Sequence, residues 1–138
     1  MRHVNIKTIA TKISSSLKIL EKRISVRLLV LMQRDDSMGN WDVVISSYQL
    51  SSGRMESYEL VDQNLLDKLE SDERMKISRI VIMDPDDPSA QFMMENLPFH
   101  SHHGYLGCQS SDLNIIADFL GFDIRNALLV RNLNENSA

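Results

Sequence analysis

The sequence predicts an α/β domain of the α+β type, in which helices cover a small mixed β-sheet. Three observations lead to this fold class. Residues 6–24 place apolar side chains at helical spacing, and the stretches 26–32, 41–45 and 77–83 are apolar runs of strand length. Polar stretches with helix-capping residues follow the second and third of these runs. Continuous apolar runs are typical of strands covered on both faces, so the predicted sheet lies between helices.

The opening segment has the pattern of an amphipathic helix. Its lysines lie outside an apolar stripe that consists of Ile6, Ile9, Ala10, Ile13, Leu17, Leu20 and Ile24. Val26 to Met32 is a nearly continuous aliphatic run and predicts a buried strand. Gln33 to Asn40 is rich in turn-forming residues, and Trp41 to Ile45 resumes an apolar β-branched run. The pattern therefore indicates a helix followed by two strands with a polar loop between them.

The middle of the chain predicts a loop, a helix and a third strand. Ser46 to Glu56 is rich in serine and is interpreted as a loop. Asp62 is the predicted cap of a helix over residues 62–75. That helix has a buried stripe of Leu65, Leu66 and Leu69 and a water-facing side of Asp67, Lys68, Glu70, Asp72 and Glu73. Ile77 to Met83 is the third strand, and Asp84-Pro85 ends it because proline cannot donate to a strand ladder.

The last third of the chain predicts two further helices. Asp87-Pro88 is a helix start with a carboxylate cap and proline at the first position, and the buried face consists of Phe92, Met93, Met94 and Leu97. Pro98 to Gln109 is interpreted as a loop. A second helix runs from Ser110 or Ser111 to Gly121, with an inward face of Ile115, Ile116, Phe119 and Leu120. Phe122 to Leu133 fits a strand or a helix, and 134–138 is predicted to fray.

Length, charge and cysteine content limit the class of protein. A chain of 138 residues suits one domain, predicted over 1–133 with a frayed tail over 134–138. A net charge of −4 argues against a sequence-independent nucleic-acid binder. One cysteine, Cys108, allows no intrachain disulfide and fits a reducing cytoplasm. No apolar run reaches the roughly 18 residues of a membrane span, so the chain is expected to be soluble and cytoplasmic.

Two segments carry a family resemblance. WDVVISS at 41–47 and ISRIVIMDPDDP at 77–88 follow a helix, a buried strand and a polar loop. Over about residues 5–100 this order resembles the minimal nucleotidyltransferase fold of the DNA polymerase beta-like superfamily. The resemblance is to a degenerate branch in which the Gly-Ser and metal motifs are eroded. It implies a nucleotidyltransferase-like α/β domain.

The resemblance also implies site residues. The family holds two magnesium ions with an Asp-x-Asp pair and a third acidic residue on a later strand. Here the pair reads Asn40-Trp41-Asp42, so Asp42 and Asp84 are the implied magnesium ligands and the catalytic residues of an active enzyme. The family's phosphate-binding Gly-Ser turn aligns with the polar loop, where the implied nucleotide-binding residues are Arg34, Ser37, Gly39 and Asn40. For Asp42 the alternative is a strand-end residue that stabilises a nearby loop.

Loss of an acidic ligand at Asn40 favours a non-catalytic or weakly active protein that binds a nucleotide or a protein partner, with self-association as a further expectation. Two enzyme classes remain as alternatives. One is an active magnesium-dependent nucleotidyltransferase that uses Asp42 and Asp84. The other, which the sequence favours less than a magnesium enzyme, is an enzyme that binds zinc or another borderline ion, because imidazole and thiolate suit such ions. Its candidate ligands are His100, His102, His103 and Cys108, which otherwise form an exposed loop.

Overall fold

The computed structural model describes residues 4–134, which form five helices and a five-stranded mixed sheet. The first half of the chain comprises α1 (Ile6–Leu20), β1 (Val26–Arg34), β2 (Trp41–Ser47), α2 (Met55–Leu65), α3 (Ser71–Arg74) and β3 (Ile77–Ile82). The second half comprises α4 (Pro88–Asn96), β4 (Leu106–Gly107), α5 (Ser110–Leu120) and β5 (Ile124–Asn132). The predicted α+β class with a mixed sheet is confirmed.

The sheet has the strand order β3-β2-β1-β5-β4. β1 is central and pairs antiparallel with both β2 and β5, while β2 and β3 run parallel. The two strands that the sequence predicts on either side of the polar loop therefore pair with each other. Because β2 and β3 are parallel, their carboxyl ends lie at the same edge of the sheet, opposite the turn that joins β1 to β2.

Helices cover both faces of the sheet and create two apolar cores. On one face α1 and α2 pack against alternate residues of β1, including Leu29 and Leu31. On the other face α4 and α5 pack against Leu28, Val30 and Met32. This alternation follows from the two-residue period of a strand and explains why the β1 sequence is apolar at nearly every position.

The second helix differs from its prediction. It starts at Met55, within the predicted loop, and ends at Leu65, after which the short α3 begins at Ser71. No side chain caps its amino end, so the sequence contains no local start signal. Leu65 and Leu66 are buried as expected, but the predicted water-facing Glu73 is fully buried. Its carboxylate accepts hydrogen bonds from Lys12 Nζ of α1 and from the Glu70 backbone N–H.

In the carboxyl-terminal third, the predicted helix ends are confirmed, while the predicted inward face of α5 is partly wrong. α4 starts at Pro88 with Asp87 as its cap, and Gly121 ends α5 with a left-handed φ of 84°. On α5, Leu113 and Ile116 face the core. Ile115 and Phe119, which were predicted to face inward, are each 45% exposed. Pairing with residues 28–34 of β1 fixes residues 124–132 as a strand.

The predicted frayed tail begins too early. Asn134 is buried, and its side-chain amide donates a 2.9 Å hydrogen bond to Met94 O of α4. The other residues of that predicted tail, 135–138, lie outside the described residues.

Within residues 4–134, no helix has both the length and the apolar character needed to cross a bilayer.

Candidate functional site

Asp42 lies near the start of β2, on the α4/α5 face of the sheet, and is 2% exposed. Its Oδ2 accepts hydrogen bonds from Arg34 Nε at 2.8 Å and from Arg79 Nε at 3.2 Å. The bond from Arg34 to this carboxylate raises the pKa of the Arg34 guanidinium. Two cations therefore already neutralise Asp42, and both would repel a divalent metal ion.

Asp84 follows β3, at the carboxyl edge of the parallel pair. Its carboxylate accepts hydrogen bonds from the backbone N–H and the hydroxyl of Ser52, and these bonds lower the pKa of Asp84. Ser52 belongs to the connection between β2 and α2. Asp84 therefore ties that connection to the end of β3.

The structure does not bring Asp42 and Asp84 together. Ile82 of β3 is level with Ile45 of β2, so Asp84 lies at the level of Ser47. The two aspartates are thus separated by roughly five strand residues, or about 16 Å. Two catalytic metal ions lie only about 3.5–4 Å apart, so these two carboxylates cannot share such a centre. The expectation that they converge is corrected by the register of β2 and β3.

We expect the Asp84→Ala substitution to cause a pH-dependent loss of stability. Because the folded-state pKa of Asp84 is lowered, its ionised form contributes stability above its unfolded-state pKa. This contribution is lost as the pH falls through the lowered folded-state pKa. Urea unfolding of the wild type and the variant should differ at neutral pH, and the difference should shrink in strong acid. A difference that grows on acidification would contradict this assignment.

In the turn between β1 and β2, the predicted nucleotide-binding residues form hydrogen bonds that stabilise the turn itself. The Ser37 hydroxyl lies 2.7 Å from both Arg34 O and Asn40 O. Gly39 has a left-handed φ of 87°, and its carbonyl accepts a hydrogen bond from Gln33 Nε2. The Arg34 guanidinium is engaged by Asp36 as well as by the buried carboxylate described above. Nucleotide binding by this turn stays a prediction, and a phosphate would have to displace these contacts.

The histidine loop is folded against α1 and β5. His100 is buried, exchanges backbone hydrogen bonds with Asn132, and its Nε2 lies 3.2 Å from Gly104 O. Ser14 of α1 accepts a hydrogen bond from Gly104 N, and its hydroxyl lies 3.3 Å from His103 Nδ1. These contacts give His100 and His103 a structural role, because they connect the loop to α1 and β5.

No group of three or more histidine, cysteine, aspartate or glutamate side chains within residues 4–134 is arranged to hold a metal ion. The predicted zinc set His100, His102, His103 and Cys108 falls under this finding. For the pair Asp42 and Asp84, the separation along the strands given above is the relevant observation. The rings of His100 and His102 meet edge to face with centroids 6.4 Å apart.

Cys108 is a poor nucleophile. Burial raises the pKa of its thiol to about 11, and Asp112 contributes in the same direction. We expect iodoacetamide to alkylate Cys108 about 100-fold more slowly in the native protein than in urea, because only the thiolate reacts. Mass spectrometry of timed samples measures both rates. Equal rates in the two states would contradict the buried, protonated thiol.

A cavity lies at the carboxyl edge of β2, where the sequence predicted no site. Its volume is about 380 Å³, within the range of small-ligand pockets. It lies between the start of β1, the end of β2, the α4 surface and the chain after β5. Its lining comprises Ser25, Arg27, Tyr48, Gln91, Met94, Leu133 and Asn134.

Arg27 forms a β-bulge in β1, where the regular pairing with β2 is interrupted. Val26 pairs with Ser47 and Leu28 with Ser46, so Arg27 is an extra residue on β1. Val26 and Leu28 consequently pack into opposite cores. Bulges commonly re-aim side chains at functional sites, and here the extra residue supplies a guanidinium to the cavity.

The Arg27 guanidinium has unused hydrogen-bonding capacity. Its Nη1 is shielded from solvent and has no hydrogen-bond partner among residues 4–134. Its Cζ lies 4.5 Å from the centroid of the Tyr48 ring, which is a cation–π contact. A buried donor without a partner is costly, because its lost hydration is not replaced. An anionic oxygen in the cavity would remove that cost.

The sequence contained one signal for this site. Arg27 is a lone charged residue in the run VRLLVLM, which is otherwise apolar. A charged residue is rare inside a strand that both faces of a sheet bury, unless it is paired or functional. Tyr48 carried no comparable signal, because only the fold brings its ring over Arg27.

Comparisons of the chain with family models, with curated proteins and with solved structures find no match.

Proposed function

We propose that this protein is a non-catalytic binding module that holds a small anionic ligand in the cavity beside Arg27. The observation that carries the proposal is that Arg27, whose Nη1 has no hydrogen-bond partner among residues 4–134, lines a cavity of ligand size. Guanidinium groups bind carboxylates and phosphates through charge-assisted hydrogen bonds. The nucleotidyltransferase-like resemblance stays part of the proposal as a description of the α-β-β-α-β order alone.

Two observations favour binding over catalysis. Arg34 and Arg79 neutralise Asp42, and Asp84 is about 16 Å away along the strands and bound to Ser52. A transferase centre would need these carboxylates free and adjacent. Binding at Arg27 requires neither of them, so the proposed activity is independent of magnesium.

Isothermal titration of the full chain with inorganic phosphate and with pyrophosphate tests the proposal. We expect at least one of them to bind. Arg27→Gln should weaken that binding about 10- to 100-fold, because a hydrogen bond to a charged group contributes about 1.5–3 kcal/mol. Millimolar magnesium should leave the affinity unchanged within about twofold.

Arg125→Gln is the matched control. It removes the same charge from an exposed arginine of β5 that pairs with Asp35, outside the cavity lining. We expect wild-type affinity from this variant. An equal loss of affinity in both variants would show that only the net charge of the protein matters, and it would contradict the proposal. The absence of binding by the wild type would also contradict it.

Binding of a protein partner, self-association and a cytoplasmic location stay proposals from the sequence. The half-exposed Ile115 and Phe119 of α5 favour a partner surface. The lone Cys108 favours a reducing compartment. Light scattering across a range of protein concentrations tests self-association.

A further inference from the structure

We infer that the ligand of the Arg27 cavity carries a planar ring as well as an anion, and that its class is a nucleoside monophosphate. The inference rests on the proposed function, because it concerns the same cavity. It adds a role for Tyr48 as a stacking platform and restricts the ligand to a single phosphate group.

The ring of Tyr48 has an exposed surface beside the cavity. The residue is 69% exposed although it lines the cavity. One face of its ring lies over the Arg27 guanidinium, so the exposure falls on the remaining surface of the ring. An open aromatic face is a surface on which a planar group stacks.

The contact between the two side chains also fixes their relative positions. The Arg27 Cζ atom lies over the ring, 4.5 Å from its centroid. The N–H bonds of a guanidinium lie in its plane, so hydrogen bonds to an anion come from its edge, where Nη1 has no partner among the described residues. A ligand that uses both groups needs a ring and an anion joined by a short spacer, as in a nucleoside monophosphate.

The charge of the lining restricts the ligand to few phosphates. Among the seven described residues that line the cavity, Arg27 alone carries a charged side chain. A triphosphate would bring several negative charges to this one cation and leave most of them without a counter-charge. The uncharged Ser25 and Gln91 suit the hydroxyl groups of a ribose instead.

Titration of the full chain with four probes tests the inference. The probes are AMP, adenosine, ribose 5-phosphate and inorganic phosphate, at one ionic strength. We expect AMP to bind on the order of tenfold more tightly than ribose 5-phosphate, which is the size of effect that base stacking produces. Adenosine should bind more weakly than AMP, because it lacks the anion.

Two variants separate the ring from the guanidinium. Tyr48→Ala should lower the affinity for AMP to that for ribose 5-phosphate and leave inorganic phosphate binding within about twofold. Tyr48→Phe keeps the ring and should retain the tighter binding of AMP. Circular dichroism and urea unfolding establish that both variants are folded.

The possible failures are distinguishable. If AMP and ribose 5-phosphate bind equally and both depend on Arg27, the proposed anion site stands and the stacking inference is overturned. If Tyr48→Ala also abolishes inorganic phosphate binding, the ring acts only through Arg27, and the stacking inference is again overturned. If no phosphate compound binds, both the proposed function and this inference fail.

Discussion

Replacing Asn132 with alanine should lower the free energy of unfolding by about 3 kcal/mol, the largest change expected at any polar residue discussed above. The side chain is fully buried in β5. Its amide nitrogen lies 3.0–3.1 Å from three carbonyl oxygens at the carboxyl end of α4, those of Met94, Leu97 and Pro98. Its own oxygen accepts a bond from Asn134 N.

The physical reason is the loss of partners for buried backbone groups. Asn134 Nδ2 also donates to Met94 O, so that carbonyl keeps one partner in the variant. The carbonyl of Leu97 loses a buried bond from Asn132, and an unsatisfied buried acceptor costs about 1–3 kcal/mol. The carbonyl of Pro98 loses a part-buried bond, which adds a smaller cost. Urea unfolding followed by the fluorescence of the buried Trp41 measures the change.

Asn126→Ala is the matched control on the same strand. Asn126 is exposed and donates only to the Gln33 side chain, so we expect a loss of less than about 0.5 kcal/mol. Equal losses in the two variants would show that the three carbonyls do not depend on Asn132.

Removing the Asp42 carboxylate should lower the free energy of unfolding by about 2 kcal/mol. Breaking a fully buried pair by deleting one partner costs about 3–5 kcal/mol. The expected loss is smaller here because solvent reaches both partners, with 19% of the Arg34 side chain and 52% of the Arg79 side chain exposed. In Asp42→Ala the guanidiniums of Arg34 and Arg79 both lose this acceptor. The repulsion between these two cations is then no longer offset by the Asp42 carboxylate.

Asp36→Ala is the control for this prediction. Asp36 also pairs with Arg34, but 77% of its side chain is exposed, and such pairs contribute about 0–1 kcal/mol. Chemical unfolding of both variants at neutral pH gives the comparison. A loss in Asp42→Ala no greater than that in Asp36→Ala would remove the structural role assigned to Asp42, and with it one reason to regard the protein as non-catalytic.

Local sequence signals predicted the elements that depend on local interactions. The apolar runs of β1, β2 and β3 are each long enough to indicate a strand. The cap at Asp87 and the glycine at 121 marked helix ends correctly, because capping and left-handed φ are properties of one or two residues.

The failures have a common cause in long-range contacts. Glu73 is buried by Lys12, which lies 61 residues earlier in the chain. The strand character of residues 124–132 comes from pairing with β1, and the helix start at Met55 has no side-chain cap. Sequence periodicity contains no information about such partners.

The candidate site was less predictable than the fold. The resemblance directed attention to Asp42 and Asp84, whose separation depends on the parallel register of β2 and β3. The cavity instead depends on the bulge at Arg27, the position of Tyr48 and the arrival of Asn134 after β5. These features come from three separate parts of the chain and meet only in the folded protein.

A crystal structure of the protein soaked with tungstate, a heavy tetrahedral oxyanion, would test whether the cavity beside Arg27 binds an anion. We expect an anomalous peak in the cavity, with an oxygen atom of the anion within hydrogen-bond distance of Arg27 Nη1. Occupied tungstate sites elsewhere, with the cavity beside Arg27 empty, would contradict it.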